Sequence, residues 1–147
     1  FRRVLFRSDG KFSVAEAWWH KAQGYMSTPV LIDGVAYSHL KSQRVMAMEV
    51  ATGRELWTSD TSFGKYWSLI AQNDRILALD QRGMLFLLRA NKEKFDQLDQ
   101  CKLTSAETWA HLAAADDELF VRELNALTAY RWSEAGKTPA NPKPSIP

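Results

Sequence analysis

The stretch "STPVLIDGVAYSHLKSQRVMAMEVATGRELW", residues 27–57, is punctuated like β-structure rather than helix. Asp33-Gly34 stands between the apolar runs "PVLI" and "VAYSHL". Such a pair marks a two-residue hairpin, because both central residues of a type I′ turn need φ > 0. "RVMAMEV" then reads as a third strand. Ala51-Thr52-Gly53 supplies another tight turn, with Gly53 as the residue that takes positive φ. "RELWTS" follows as a fourth strand. No stripe of apolar residues at a 3.6-residue spacing runs through the segment.

The same grammar recurs downstream. "YWSLIAQNDRILALDQRGMLFLLRANKEKFDQL" begins at Tyr66 and "TWAHLAAADDELFVRELNALTAYRW" at Thr108, which lie 41 and 83 residues beyond the first unit's start at Tyr25. Asn73-Asp74 and Asp116-Asp117 occupy the Asp-Gly place, and these residue types tolerate the left-handed region better than most. "MLFLLRA" and "ALTAYRW" match the third strand. A period of roughly 40–45 residues built from short strands is that of a propeller blade. Each unit reads as four antiparallel strands joined by turns of two to four residues.

The fold class is therefore all-β: a partial β-propeller of about three four-stranded blades, spanning residues 24–63, 64–106 and 107–133. The last blade is expected to lack its outer strand. Four prolines in the final nine residues forbid a ladder, so 134–147 reads as a disordered, proline-rich tail. Residues 11–23, within which "SVAEAWWHKA" lies, are expected to form the outer strand of a preceding blade. Trp18 falls 39 residues before Trp57, close to one period. Residues 1–10 read as a lead without structure.

Composition narrows the function classes. With 46% apolar residues and six tryptophans, the chain can bury a core. No apolar run is long enough for a membrane span. Cys101 is the one cysteine, which excludes an internal disulfide and a multi-cysteine metal site, and it reads as a buried inert thiol. The net charge of +2 depends on Arg2, Arg3 and Arg7 in "FRRVLFRS". Without those three the 17 acidic residues outnumber the basic ones by one, so a nucleic-acid partner has no electrostatic support. The octet fits none of the repeat grammar, and it looks like the translation of a short-read sequencing adapter.

The first unit resembles the repeat of the PQQ-binding-like, or quinoprotein-type, β-propellers. That repeat reads roughly S-P-V-V-x-D-G-x-V-Y, then a turn, then L-x-A-x-D-x-x-T-G-x-x-x-W. Ser27, Pro29, Val30, Asp33, Gly34, Val35, Tyr37, Ala47, Thr52, Gly53 and Trp57 match it, with Glu49 where the family usually has Asp. The second and third units keep the turn acid and the strand pattern but lose the Thr-Gly and the Trp. Within the family the chain is similar to exported bacterial propellers named for an outer-membrane assembly lipoprotein. The resemblance implies a periplasmic or extracellular location and further blades of the same chain as neighbours. It also implies that Asp33, Gly34, Ala47, Thr52, Gly53 and Trp57 are architectural, with the Trp packing on the next blade.

Quinoprotein dehydrogenases build on this scaffold with a calcium site, a catalytic aspartate and often adjacent cysteines. Adjacent cysteines are absent here, and no acidic cluster has calcium-loop spacing. Asp80 and Asp96 read as solvated surface acids. No catalytic residue, metal ligand or cofactor is assigned within the chain. The candidate ligand rim is Lys65, Tyr66, Trp67, Trp109 and His111. Two aromatics at the start of inner strands, with a cation and an imidazole, suit a flat or carbohydrate-like ligand. The expected function is a non-catalytic scaffold binding a protein or saccharide outside the cytoplasm. The alternatives are a PQQ- and calcium-dependent oxidoreductase whose active-site blades lie elsewhere, and an outer-membrane assembly-factor-like subunit.

Overall fold

A computed structural model describes residues 15–132, and among these it contains eleven strands and no helix. The first sheet holds β1 (Val30–Ile32), β2 (Val35–His39), β3 (Val45–Glu49) and β4 (Glu55–Thr58). The second holds β5 (Trp67–Gln72), β6 (Arg75–Asp80), β7 (Met84–Arg89) and β8 (Gln97–Lys102). The third holds β9 (Ala113–Ala115), β10 (Glu118–Arg122) and β11 (Leu127–Arg131). Each sheet is an antiparallel meander in chain order. These are three successive blades. The lead over residues 1–10 and the tail over 134–147 lie outside the described residues, as does any fourth strand beyond Trp132. Among the described residues, no helix is long and apolar enough to cross a membrane.

The hairpins follow from their turn residues. Asp33 and Gly34 have φ of 47° and 77°, the double positive that a type I′ turn requires. Asn73 and Asp116 take φ of 54° and 52° at the corresponding places. Gly53 sits at 72°, and the Thr52 hydroxyl accepts the Arg54 amide at 3.2 Å and donates to the Glu49 carboxylate. Some connections are longer than the two to four residues expected: 40–44, 50–54 and 90–96. Blades 1 and 2 carry matching irregularities, at Ala47/Met48 and Leu87/Leu88, one period apart.

Period-2 alternation along each strand makes two faces, and the blades stack on them. Val35, Tyr37, Val45 and Ala47 of blade 1 pack against Trp67, Leu69, Ile76, Ala78, Phe86 and Leu88 of blade 2, with Phe63 between. The other face of blade 2 sends Leu79 and Leu85 against Leu112, Leu119 and Val121 of blade 3. Each inter-blade layer is a separate small core.

Trp57 fastens the first two blades. Its ring lies 6.1 Å from Tyr37 and 6.1 Å from Phe95, and its indole N–H donates to Asn91 O at 2.9 Å. Asn91 and Phe95 belong to the 90–96 loop of the next blade. Trp57→Phe keeps the ring and loses that bond. We expect the urea midpoint to fall by the equivalent of about 1 kcal/mol, whereas an unchanged midpoint would show the bond to be dispensable.

Trp18 makes the same move one period earlier. Its indole N–H donates to Val50 O at 2.8 Å, and Val50 stands 41 residues before Asn91. The ring lies over Gly53, where an added Cβ would come within 2.6 Å of it. The strand expected over 11–23 nevertheless fails to form in its described part. Residues 15–23 make no ladder, and the first bridge is Gly24 with Leu40. Among the described residues no earlier strand exists for them to pair with. They are held instead by Trp18 and by local bonds such as Ala22 N to His20 Nδ1 at 3.1 Å.

Two further expectations are corrected. Cys101 is exposed, not buried, because it lies on β8, whose residues are all exposed at the outer position of blade 2. Asp80 is fully buried rather than solvated. It ends β6 at the blade interior, where its carboxylate is used by the following turn. Asp96 is partly buried and pairs with Arg89 at 3.7 Å.

Candidate functional site

The rim proposed from sequence lies where the chain enters β5 and β9. Tyr66 is buried, and its ring stacks on Trp109 at 6.0 Å with planes 24° apart. The Trp109 indole N–H donates to the Glu107 carboxylate at 2.9 Å. Behind this pair, Ser68 Oγ lies 2.8 Å from His111 Nδ1 and accepts the Leu112 amide at 2.8 Å. Burial pushes the Tyr66 phenol up, and the nearby Ser68 hydroxyl pulls it part of the way back. Tyr66, Ser68, Trp109 and His111 therefore form one cluster across the blade 2–blade 3 joint. The sequence reading missed Ser68, a residue type too common to signal a role.

The other two predicted residues go elsewhere. Trp67 follows Tyr66 in the chain, so alternation turns it to the opposite face. It is wholly inaccessible, 4.6 Å from Phe63 and 5.0 Å from Phe86, and stacked on His39 at 5.4 Å. It is a core residue and lines no rim. Lys65 is exposed and lines a pocket of about 220 Å³ with Tyr25, Lys41 and Gln43.

Asp80 anchors the joint from within. Its Oδ1 accepts the amides of Arg82 at 2.9 Å and Met84 at 3.0 Å, and Oδ2 accepts Arg82 Nε at 2.9 Å. Its carbonyl accepts the Thr108 hydroxyl at 2.6 Å. The signal was present in sequence as Asp80 three residues before Gly83, which takes φ of 78° in the turn. His39, one blade earlier, is equally buried, yet neither ring nitrogen has a hydrogen-bond partner, nor does the Trp67 indole N–H. Burial lowers the His39 pKa to about 4, against smaller opposing pulls from the Gly64 carbonyl and the Asp80 charge.

No set of three His, Cys, Asp or Glu among the described residues could hold a metal. The carboxylates of Asp80 and Asp96 are engaged by arginines and backbone amides.

No protein-family model matches the chain. Over 56 residues, 36% of the chain and 8% of the relative, it is 36% identical to the quinohemoprotein alcohol dehydrogenase ADH IIB of Pseudomonas putida. The described fold superposes on BamB from Moraxella catarrhalis with a TM-score of 0.55 and 14% identity, covering 72% of this chain and 31% of that one. It also superposes on the quinohemoprotein alcohol dehydrogenase ADHIIG of Pseudomonas putida HK5 with a TM-score of 0.56 and 15% identity, covering 77% and 20%. The described residues have the fold of three β-propeller blades, shared with these structures. The chain spans less than a third of each of these relatives.

In propeller terms, β1, β5 and β9 are the inner strands, and a serine clasps each to the next. The Trp67 amide donates to Ser27 Oγ at 3.2 Å, as the Leu112 amide does to Ser68 Oγ at 2.8 Å. Ser68→Ala leaves the buried Leu112 amide without this acceptor. An unmade bond of that kind costs about 1–3 kcal/mol. We expect a lower thermal midpoint for Ser68→Ala and a much smaller change for His111→Ala, whose ring is exposed. Equal losses in the two variants would place the weight on the imidazole instead.

Proposed function

We propose that this protein is a non-catalytic propeller scaffold that presents a surface to a partner protein outside the cytoplasm. The observation that carries this reading is the use made of the rim's polar groups. Ser68 and His111 are bonded to each other, Ser68 also takes a backbone amide of the next blade, and Trp109 is tied to Glu107. The two bonds of Ser68 hold blades 2 and 3 together and the Glu107 bond fixes the Trp109 ring, which suits a rigid platform. The stacked Tyr66–Trp109 pair, with half-buried Trp109 at its edge, supplies the amphipathic aromatic surface that protein interfaces favour. The extracytoplasmic location rests on the family resemblance.

A second reading, a quinoprotein oxidoreductase, is favoured by the 36% identity to ADH IIB over 56 residues. The full-length protein, incubated with PQQ and calcium and offered primary alcohols, separates the two. The scaffold reading expects no quinone retained after gel filtration and no alcohol oxidised. It expects a photo-crosslinker at Trp109 to trap one discrete protein in exporting cells, with none trapped from the buried Leu69. Alcohol turnover with bound quinone would overturn it.

A further inference from the structure

The joint between blades 2 and 3 is packed at one end and open at the other. A cleft of about 460 Å³ lies there, lined chiefly by Ile70 and Gln72 of β5, Arg75 and Leu77 of β6, Leu87 of β7, and Trp132. Ala114 and Asp116 form its opposite lip.

The preceding joint shows what the repeat places in this position. Counting from the two hairpin turns, Arg75 corresponds to Val35 and Leu77 to Tyr37. Strand pairing extends the correspondence. Tyr37 pairs with Ala47 and Ala47 with Trp57, while Leu77 pairs with Leu87 and Leu87 with Asp99. Between blades 1 and 2, therefore, two aromatic rings fill the space and are met by Phe95. Between blades 2 and 3 the same places hold Leu77 and the exposed Asp99, and the space stays open. Arg75 replaces a valine that is 2% exposed.

The lining is specific in its chemistry. Ile70, Leu77 and Leu87 make an apolar floor the size of a ring. Trp132, half exposed, gives an aromatic wall. Gln72 and Arg75 supply the side-chain hydrogen-bond donors of the polar lining, and Asp116 its one carboxylate. Arg75 pairs with Asp74 through one nitrogen, and its other donors are not taken up by that pair. A cavity of this volume with an apolar floor and few polar groups matches a small-ligand site.

We propose that this cleft binds a small aromatic carboxylate. The ring takes the place that Tyr37 and Trp57 fill one joint earlier, and the carboxylate meets Arg75 and Gln72. The site is distinct from the Tyr66–Trp109 rim and stands whether or not the scaffold reading does.

The test is a titration of the full 147-residue chain with 3-phenylpropionate, followed by methyl NMR and calorimetry. We expect saturable shifts of the Ile70, Leu77 and Leu87 methyls. The neutral amide of the same acid should bind at least ten-fold more weakly, because it forfeits the charge-assisted bond to Arg75 and ten-fold is about 1.4 kcal/mol. Arg75→Leu should lose a similar factor, and Leu77→Tyr, which restores the residue of the earlier joint, should abolish binding. Thermal melts establish that both variants fold. Should Leu77→Tyr fail to fold, Arg75→Leu and the amide still decide. Absence of methyl shifts at millimolar ligand, or equal binding of acid and amide to both wild type and Arg75→Leu, would overturn the proposal.

Discussion

Trp67→Ala is expected to lower the unfolding free energy by about 4 kcal/mol, the range for emptying a buried large aromatic site. The residue has no exposed surface and touches three rings from three parts of the chain: His39 of blade 1, Phe63 of the linker and Phe86 of its own blade. Its removal leaves a cavity whose walls are strand-borne, so collapse into it is limited. Marginal domains have only 5–15 kcal/mol to lose. Urea denaturation followed by circular dichroism should show a large fall in midpoint at constant slope. Trp67→Phe should recover more than half of the loss. A fall below about 1 kcal/mol would show that the layer between blades 1 and 2 is looser than its packing indicates.

The second large effect is acid sensitivity through His39. The imidazole is buried, stacked on Trp67 and without a hydrogen bond at either nitrogen. Its folded pKa is about 4 against 6.5 for the free side chain, with burial as the main cause. Between those values the unfolded chain binds a proton that the folded one refuses. Stability from this residue is therefore complete above pH 6.5 and is lost progressively as pH falls towards 4. The gap corresponds to about 3 kcal/mol at 1.36 kcal/mol per unit. Chemical denaturation at pH 7 and pH 4.5 should show most of that loss in the wild type and a markedly smaller one in His39→Phe. Parallel losses in the two proteins would transfer the acid sensitivity to carboxylates elsewhere.

Much of the architecture was legible because turns and alternation are local. Asp33-Gly34 fixed the first hairpin, and the 40-residue spacing carried it to blades whose Thr-Gly and Trp had drifted away. The family resemblance implied that Trp57 packs on the next blade, and its indole N–H donates to Asn91 O of that blade. What stayed hidden depends on neighbours far along the chain. Asp80 looks like any surface acid until Arg82 and two amides converge on it. Trp67 and Trp109 begin their segments alike, but the alternation of β5 sends one into the core and leaves the other stacked at the surface. Cys101 sits in a segment whose exposure follows from its outermost place in the sheet. Residues 15–23 carry a strand-like pattern, yet a strand needs a partner ladder to exist.

The serine clasps at Ser27 and Ser68 join each blade only to the one that follows. The two packed layers are likewise confined to adjacent sheets. Stability in such an array is a sum of nearest-neighbour terms, as in other repeat proteins. Among the three described blades, blade 2 alone packs against another blade on each side. Its amides should exchange with deuterium most slowly, and fraying should advance towards it from blades 1 and 3. A protection profile peaking in β6 and β7 would be the signature of a row of coupled units that opens from its ends.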